Sequence, residues 1–170
     1  MHPAYFGDSF DLVKRFFIAE LKADNFSVAI NPMLTGDWSD TDQDFYKLIN
    51  CYPKQQIMND SAKTALFIDP DTGVNERGGK QHISYKALIT ATKTFDLVFS
   101  FDQSFSRQAK PKDIMLLKLR AISELGGHGM YYDSHARFLF VARNAATLNS
   151  FRNHLEFVGI PNSRLINSDA

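Results

Sequence analysis

The stretch Ala-Leu-Phe-Ile-Asp-Pro-Asp-Thr-Gly, residues 65–73, is the most informative part of this 170-residue sequence. Its first four residues are all apolar, and a carboxylate ends the run. A short continuous apolar run is typical of a parallel β-strand that is buried on both faces. Pro70 restricts one backbone angle of the following loop, and Gly73 allows a positive φ angle or a close backbone approach. We therefore predict a buried strand over residues 65–69 whose carboxyl end opens onto a polar loop.

Helical and extended patterns alternate on both sides of this stretch. Apolar residues at helical spacing predict helices, and short apolar runs predict strands. The predicted helices cover residues 9–23, 41–50, 83–95, 112–125 and 144–158, and the other predicted strands cover residues 26–31, 96–102, 129–133 and 137–142. This order predicts an α/β domain of Rossmann-like type, with a mostly parallel sheet, helices on both faces and an antiparallel C-terminal hairpin at one edge. We expect a single domain over residues 1–164 and a loose tail over residues 165–170.

The formal charges of the chain cancel, because 19 Lys and Arg residues face 19 Asp and Glu residues. No overall field then attracts the protein to nucleic acid or to an anionic membrane, so nucleic-acid binding would need a local basic patch. The candidates for such a patch, which also fit a solvated helix face with its entry loop, are Arg107, Lys110, Lys112, Lys118 and Arg120.

Several classes of protein do not fit the sequence. It has no signal-peptide pattern, and no apolar segment approaches the roughly 20 residues of a membrane-spanning helix. The single cysteine, Cys51, excludes an internal disulfide, and we interpret it as structural. The five histidines lack metal-ligand spacing, so we predict no metal site. These features favour a cytoplasmic protein without a membrane partner.

Polar residues follow three of the predicted strands, and ligands of open α/β sheets bind beyond the carboxyl ends of strands. Asp69 and Asp71 are the candidate catalytic pair, because two close carboxylates can bind a cation, act as an acid/base pair or accept hydrogen bonds from an amine. They can equally cap the turn that follows. The candidate substrate contacts near them are His82, Tyr85 and Gln103.

Two segments carry a resemblance to a known family. Residues 64–74 resemble the strand and loop of amino-methyltransferases, in which the loop normally reads Asp-Pro-Pro-Tyr. Residues 5–15 resemble the opening of the RlmJ-like ribosomal-RNA adenine-N6 methyltransferases, roughly Gly-Asn-x-x-Asp-Val-x-Lys-His. The positions that match this second pattern are Gly7, Asp8, Asp11, Lys14 and Arg15. The Asp-Pro-Asp-x-Gly motif and the segment at residues 32–35 also resemble small bacterial and phage proteins without an assigned function.

The resemblance implies S-adenosylmethionine as the cofactor and Asp69 as a hydrogen-bond acceptor for the target amine. The cofactor contacts that it implies are Gly7, Asp8, Lys14 and Gly36. Two departures oppose full activity. The turn after the first strand has one glycine instead of a glycine-rich cradle, and Asp-Thr replaces the Pro-Tyr that supplies the base-stacking ring. We therefore expect weak or absent binding of S-adenosylmethionine.

The leading hypothesis is a methyltransferase-like domain of nucleic-acid metabolism, either active or catalytically degenerate. Two alternatives stay open: a non-enzymatic protein-interaction module on the same fold, and a magnesium-dependent phosphoryl-transfer enzyme that uses Asp69 as nucleophile and Asp71 as acid/base. A restriction-type nuclease that combines Glu20 and Lys22 with Asp69 fits less well, because both residues fall on a predicted helix.

Overall fold

The computed structural model describes residues 2–36, 38, 42–53, 63–105 and 110–167. The helices are α1 (Ser9–Ala23), α2 (Asp42–Ile49), α3 (Tyr85–Ala91), α4 (Pro111–Glu124) and α5 (Ala145–Phe157). The strands are β1 (Phe26–Asn31), β2 (Tyr52–Pro53), β3 (Lys63–Ile68), β4 (Gly73–Asn75), β5 (His82–Ser84), β6 (Leu97–Phe101), β7 (His128–Tyr132), β8 (Phe138–Ala142) and β9 (Leu165–Asn167). Short 3-10 turns cover Pro3–Tyr5 and Asn162–Arg164.

Seven of these strands form one central sheet in the order β2-β1-β3-β6-β8-β7-β9. The pairs β2–β1, β1–β3 and β3–β6 are parallel, and the remaining pairs are antiparallel. The register places Ala29 opposite Leu66, and Phe67 opposite Phe99. This confirms the prediction that the strands near residues 26–31, 65–69 and 96–102 are parallel strands of one sheet. The fold is α/β and Rossmann-like.

Helices cover both faces of the sheet, because the strands are apolar on both sides. Helices α1, α2 and α5 pack on one face against side chains such as Phe67 and Phe99. Helices α3 and α4 pack on the other face against side chains such as Leu66 and Val98. The first core is rich in aromatic rings, and Phe67 stacks on Phe99 with 4.8 Å between ring centroids. Cys51 is buried in this core, where burial raises the pKa of its thiol to about 12, in keeping with a structural role.

The C-terminal part of the sheet corrects two predictions. The hairpin β7–β8 does not form the edge: β8 lies beside β6, and β9 is the edge strand. Residues 165–167 are therefore not a loose tail, since they pair antiparallel with β7. Leu165 and Ile166 are buried in the cores on opposite faces of the sheet, which gives this short strand a hydrophobic anchor on each side. Residues 168–170 lie outside the described part of the chain.

The segment between β3 and α3 also differs from the prediction of a helix over residues 83–95. Helix α3 begins only at Tyr85, because the Ser84 hydroxyl accepts a hydrogen bond from the backbone N–H of Ala87 and so caps the helix. The residues before it form β5, which pairs with β4 in a small parallel sheet. This pair holds the loop after β3 against the body of the domain.

The connections of β1 and β3 leave the sheet in opposite directions. Helix α2, on one face of the sheet, lies between β1 and the edge strand β2 in the chain. Helix α3, on the other face, lies between β3 and β6, and β6 is on the side of β3 away from β1. A crevice forms outside the carboxyl ends of two strands where the connections diverge in this way. Within the described residues, no helix combines the length and the apolar character needed to cross a membrane.

Candidate functional site

A cavity of about 390 Å³ lies beyond the carboxyl ends of β3 and β6. One part of its lining is acidic and contains Asp8, Asp11, Asp69 and Asp71 together with Lys14. If all five of these side chains are ionised, they carry four negative charges and one positive charge, and the α-amino group of the chain also acts on Asp69. The cavity is therefore suited to cationic or amine-bearing ligands and repels phosphate groups.

The other part of the lining is aromatic. The N-terminal segment contributes the rings of His2 and Tyr5, helix α1 contributes Phe10, and the end of β6 contributes Phe101. Phe10 and Phe101 contact each other edge to face, with ring centroids 5.2 Å apart. Aromatic faces attract cations, so this wall complements the acidic one.

Lys14 joins helix α1 to the end of β3. Its ammonium group donates hydrogen bonds of 2.9 Å to Asp69 Oδ2 and 2.9 Å to Asp11 Oδ1. All three residues are buried, with 4% or less of their surfaces exposed. A buried charge is costly unless it is paired, and the ion pairs explain how these groups tolerate the interior.

Local structure fixes both of the carboxylates that contact Lys14. Asp8 caps the first turn of α1, since its Oδ1 accepts hydrogen bonds from the N–H groups of Phe10 (2.8 Å) and Asp11 (3.2 Å). The other carboxylate oxygen of Asp11 accepts a 2.8 Å hydrogen bond from the N–H of Gly7. On the strand side, the N–H of Asp69 donates to the carbonyl oxygen of Asn31 at 3.0 Å, which continues the β1–β3 ladder by one residue.

One lysine between two buried carboxylates sets the electrostatics of the site. Burial would lower the pKa of Lys14, but Asp69 and Asp11 reverse this effect and place the pKa above its ordinary value. Burial raises the pKa of Asp69 above its ordinary value, although Lys14 draws it down, and the nearby Asp11 charge raises it further. The ammonium therefore stays charged, and Asp69 takes up a proton at a higher pH than an ordinary aspartate does.

Asp71 also lines the cavity but has a different environment. Its side chain is half-exposed and accepts a 3.2 Å hydrogen bond from Gln81 Nε2. Pro70 separates it from Asp69 and is buried. The structure thus places one carboxylate inside the cavity and the other nearer to solvent, an arrangement that can offer hydrogen-bond acceptors at two depths.

A second acidic residue, Asp102, follows β6 but is enclosed. Its Oδ2 accepts hydrogen bonds from Lys118 Nζ (2.7 Å) and the Tyr131 hydroxyl (2.6 Å). Its Oδ1 accepts hydrogen bonds from the N–H of Val74 (3.0 Å) and from the N–H and hydroxyl of Ser104 (3.2 and 2.7 Å). These bonds join β4, β6, β7 and α4 behind the cavity, so we interpret Asp102 as a structural residue.

The structure brings together only part of the predicted site. Asp8, Lys14, Asp69, Asp71 and Gln103 all line the cavity. The other candidates are not among its described lining residues. They are Gly7, Gly36, His82 and Tyr85.

Each of these four residues has contacts or a position that the structure describes elsewhere in the domain. Gly7 binds Asp11 through its backbone, and Gly36 lies beside the His2 ring. His82 lies in β5 opposite Gly73. Tyr85 packs against the core on the α3–α4 face, where burial, Asp102 and Glu76 raise its pKa to about 12. Their predicted roles in binding stay predictions.

The basic patch predicted from the sequence is only partly exposed in the structure. Lys118 is buried against Asp102, whereas Lys110, Lys112 and Arg120 are exposed. Lys118 therefore cannot contribute to a nucleic-acid surface. Arg107 lies outside the described residues.

Some residues of the site were not assigned a role from the sequence, although Asp11 matched the methyltransferase opening. Asp11 had a usable signal, because it precedes Lys14 by three residues on a helix and such residues are neighbours on one face. His2, Tyr5 and Phe10 had none, since only the folded chain brings the N-terminus to the end of β3. The partners of Asp102, Lys118 and Tyr131, lie 16 and 29 residues away, and no local pattern connects them.

Among the described residues, no group of three or more His, Cys, Asp or Glu side chains is arranged to hold a metal ion. Comparisons with protein-family models, with curated proteins and with solved structures each find no match for this chain.

Proposed function

We propose that the chain is a methyltransferase-like domain of nucleic-acid metabolism that retains a ligand cavity at the end of β3 but has lost methyl transfer. The observation that supports this most is the contact between Lys14 and Asp69 at the floor of the cavity. The two residues are 55 positions apart, and their side chains meet at 2.9 Å. They are also the two functional positions that carry over best from the methyltransferase resemblance.

The lining fits only part of S-adenosylmethionine. The volume of about 390 Å³ falls within the usual range of ligand sites, roughly 300–1,000 Å³. The acidic groups complement the sulfonium and ammonium charges of the cofactor. However, none of Asn31–Gly36, the turn expected to cradle the adenosine, is among the described lining residues. The site therefore does not fit the whole cofactor, and no methyl-transfer step follows from it.

The residues of the chain itself support recognition of an amine. Asp69 is held in place by β3 and oriented by Lys14, so its carboxylate can accept a hydrogen bond from an exocyclic amine at the floor of the cavity. Asp71 can accept another nearer to the mouth. Because the acidic lining repels phosphate, we expect a nucleotide to enter with its base first.

Binding and turnover measurements on the whole chain test this proposal. We expect S-adenosylmethionine and adenosine to bind weakly, with dissociation constants above about 100 μM, or roughly −5.5 kcal/mol. NMR shifts should concentrate at Asp11, Asp69 and Gln103, and Asp69→Asn should remove them. Asp113→Asn, which changes an exposed carboxylate on α4, is the matched control and should bind as the wild type does.

Three outcomes would contradict the proposal. Low-micromolar binding of S-adenosylmethionine with methyl transfer to an adenine-containing oligonucleotide would show an active enzyme. Magnesium-dependent hydrolysis of a phosphate ester that Asp69→Asn abolishes would favour the phosphoryl-transfer alternative. The absence of shifts at the cavity with millimolar adenosine would leave the interaction module as the better hypothesis.

A further inference from the structure

A second cavity, of about 640 Å³, lies at the opposite end of the sheet, where β6 begins. Three groups that can carry positive charge line it: Lys93 after α3, His128 at the start of β7 and Arg143 after β8. They come from three separate elements and meet because β6, β7 and β8 are neighbouring strands. We refer to this cavity as the basic groove.

The charges in the basic groove are available to a ligand. Lys93, His128 and Arg143 are exposed, and none of them forms an ion pair within the described part of the chain. The one carboxylate in the lining, Asp96, is engaged elsewhere: its Oδ2 accepts hydrogen bonds from the N–H (2.8 Å) and the hydroxyl (3.0 Å) of Thr64. With Lys93 and Arg143 charged, the groove has a net positive charge that the single Asp96 carboxylate does not cancel.

Neutral hydrogen-bond donors accompany these charges. Thr94 and Thr147 add hydroxyl groups to the lining, and Asn144 and Ala145 place the start of α5 there. Asn144 already caps the N–H of Ala146 at 2.8 Å. The first turn of a 13-residue helix adds a partial positive charge that reinforces the arginine and the lysine.

We propose that the basic groove binds the phosphate group of a small phosphorylated ligand. An arginine offers planar, forked donors that match phosphate oxygens, and lysine and threonine supply further donors. The volume of about 640 Å³ lies within the range of small-molecule sites, so the groove can hold an organic group together with the phosphate. The five residues of β6 separate the groove from the acidic cavity by about 16 Å, so a small ligand in one site does not reach the other.

An NMR titration of the whole chain tests this, with inorganic phosphate, adenosine 5′-monophosphate and adenosine as probes. We expect inorganic phosphate and the monophosphate to shift the amide signals of Thr94, His128 and Thr147. Adenosine should leave those signals unchanged. Tighter binding of the monophosphate would assign the groove to a phosphorylated small molecule. Equal binding of the two would assign it to free phosphate.

Variants that replace one charged side chain with a neutral one show which residues are needed for phosphate binding. Arg143→Gln should weaken binding of the monophosphate in the groove at least tenfold, whereas Lys112→Gln, which removes an exposed charge on α4, should change it less than twofold. Asp69→Asn should leave these shifts intact, which separates this site from the acidic cavity. The absence of groove shifts at millimolar phosphate, or equal weakening by Arg143→Gln and Lys112→Gln, would overturn the proposal.

Discussion

Asp69 and Asp102 end neighbouring parallel strands, and each binds a buried lysine, but the two lysines approach from opposite faces of the sheet. Lys14 comes from α1 on one face, and Lys118 comes from α4 on the other. Both pairs have short contacts, 2.9 and 2.7 Å, and little exposure. Their surroundings differ. Asp102 accepts hydrogen bonds from four residues inside the protein, whereas Asp69 lines a cavity.

The number of carboxylates around each lysine separates the two pairs further. Lys14 contacts Asp69 and Asp11, and together they place its pKa above the ordinary value despite burial. Among the described carboxylates, Lys118 pairs with Asp102, and burial places its pKa below the ordinary value although Asp102 raises it. With all of these groups ionised, Lys14, Asp69 and Asp11 together carry one net negative charge, whereas the charges of Lys118 and Asp102 balance. The same two residue types can thus form a polar ligand site or a structural connection, depending on what surrounds them.

The largest effect should come from Lys118→Met. This change leaves the Asp102 charge buried without a cation, and breaking a buried pair typically costs about 3–5 kcal/mol of unfolding free energy. Urea denaturation measures it. Lys112→Met, an exposed position on the same helix, should stay within about 0.5 kcal/mol of wild type. A loss below about 1 kcal/mol for Lys118→Met would mean that the enclosed pair is not structural.

Asp102→Asn and Asp69→Asn should separate the two carboxylates directly. Asp102→Asn replaces a charged acceptor of several internal hydrogen bonds, and we expect a loss of about 1.5–3 kcal/mol at pH 7. Asp69→Asn removes excess negative charge while Lys14 keeps Asp11 as its partner, so this variant should be at least as stable as wild type. Thermal and urea denaturation would contradict the comparison if the two losses were equal.

Gly73→Ala should disturb the enclosed pair through packing. A Cβ at residue 73 would overlap Asp102 Oδ1 and lie 2.9 Å from the Cα of Asp102. Gly79→Ala is the matched control, because Gly79 has a similar φ (145° against 137°) but nothing within 4 Å of the added Cβ. The backbone strain is then shared, and Gly73→Ala should be less stable than Gly79→Ala by about 1–3 kcal/mol, the usual cost of overpacking. Equal stabilities would show that the loop moves away freely.

The smallest expected effect is on the pH dependence of stability. The pKa of Asp69 is raised by burial, so the folded protein holds this proton at a higher pH than the unfolded chain does. The contribution of Asp69 to stability is therefore complete below about pH 4, its unfolded pKa, and is lost as pH rises through the folded pKa. The Asp69→Asn variant has no such titrating group and does not lose this contribution. Its free energy of unfolding minus that of the wild type should therefore increase between pH 4 and pH 8. Unfolding curves at several pH values measure the difference, and a difference that decreases with pH would show that Asp69 is ionised more easily in the fold.

Much of the architecture can be predicted from local sequence, because helices and strands leave periodic signals. Apolar runs revealed β1, β3 and β6, and helical spacing revealed α1 and α4. The short edge strands left weaker signals. Strand β9 has three residues, and β4 and β5 have three residues each, so their pairing depends on neighbours that are distant in the chain.

The sequence by itself determined that carboxylates stand at the ends of buried strands, since each apolar run before Asp69 and Asp102 ends at a charge that the core cannot accept alone. The sequence also predicted the start of α1 at residue 9, and in the structure Asp8 caps that first turn. Only the tertiary structure decided which lysine pairs with each carboxylate and which of the two carboxylates lines a cavity. Helix packing brings Lys14 to Asp69 across 55 residues and Lys118 to Asp102 across 16 residues. Side-chain burial and ion pairing depend on these long-range contacts, whereas local patterns reflect only the backbone periodicity of each element.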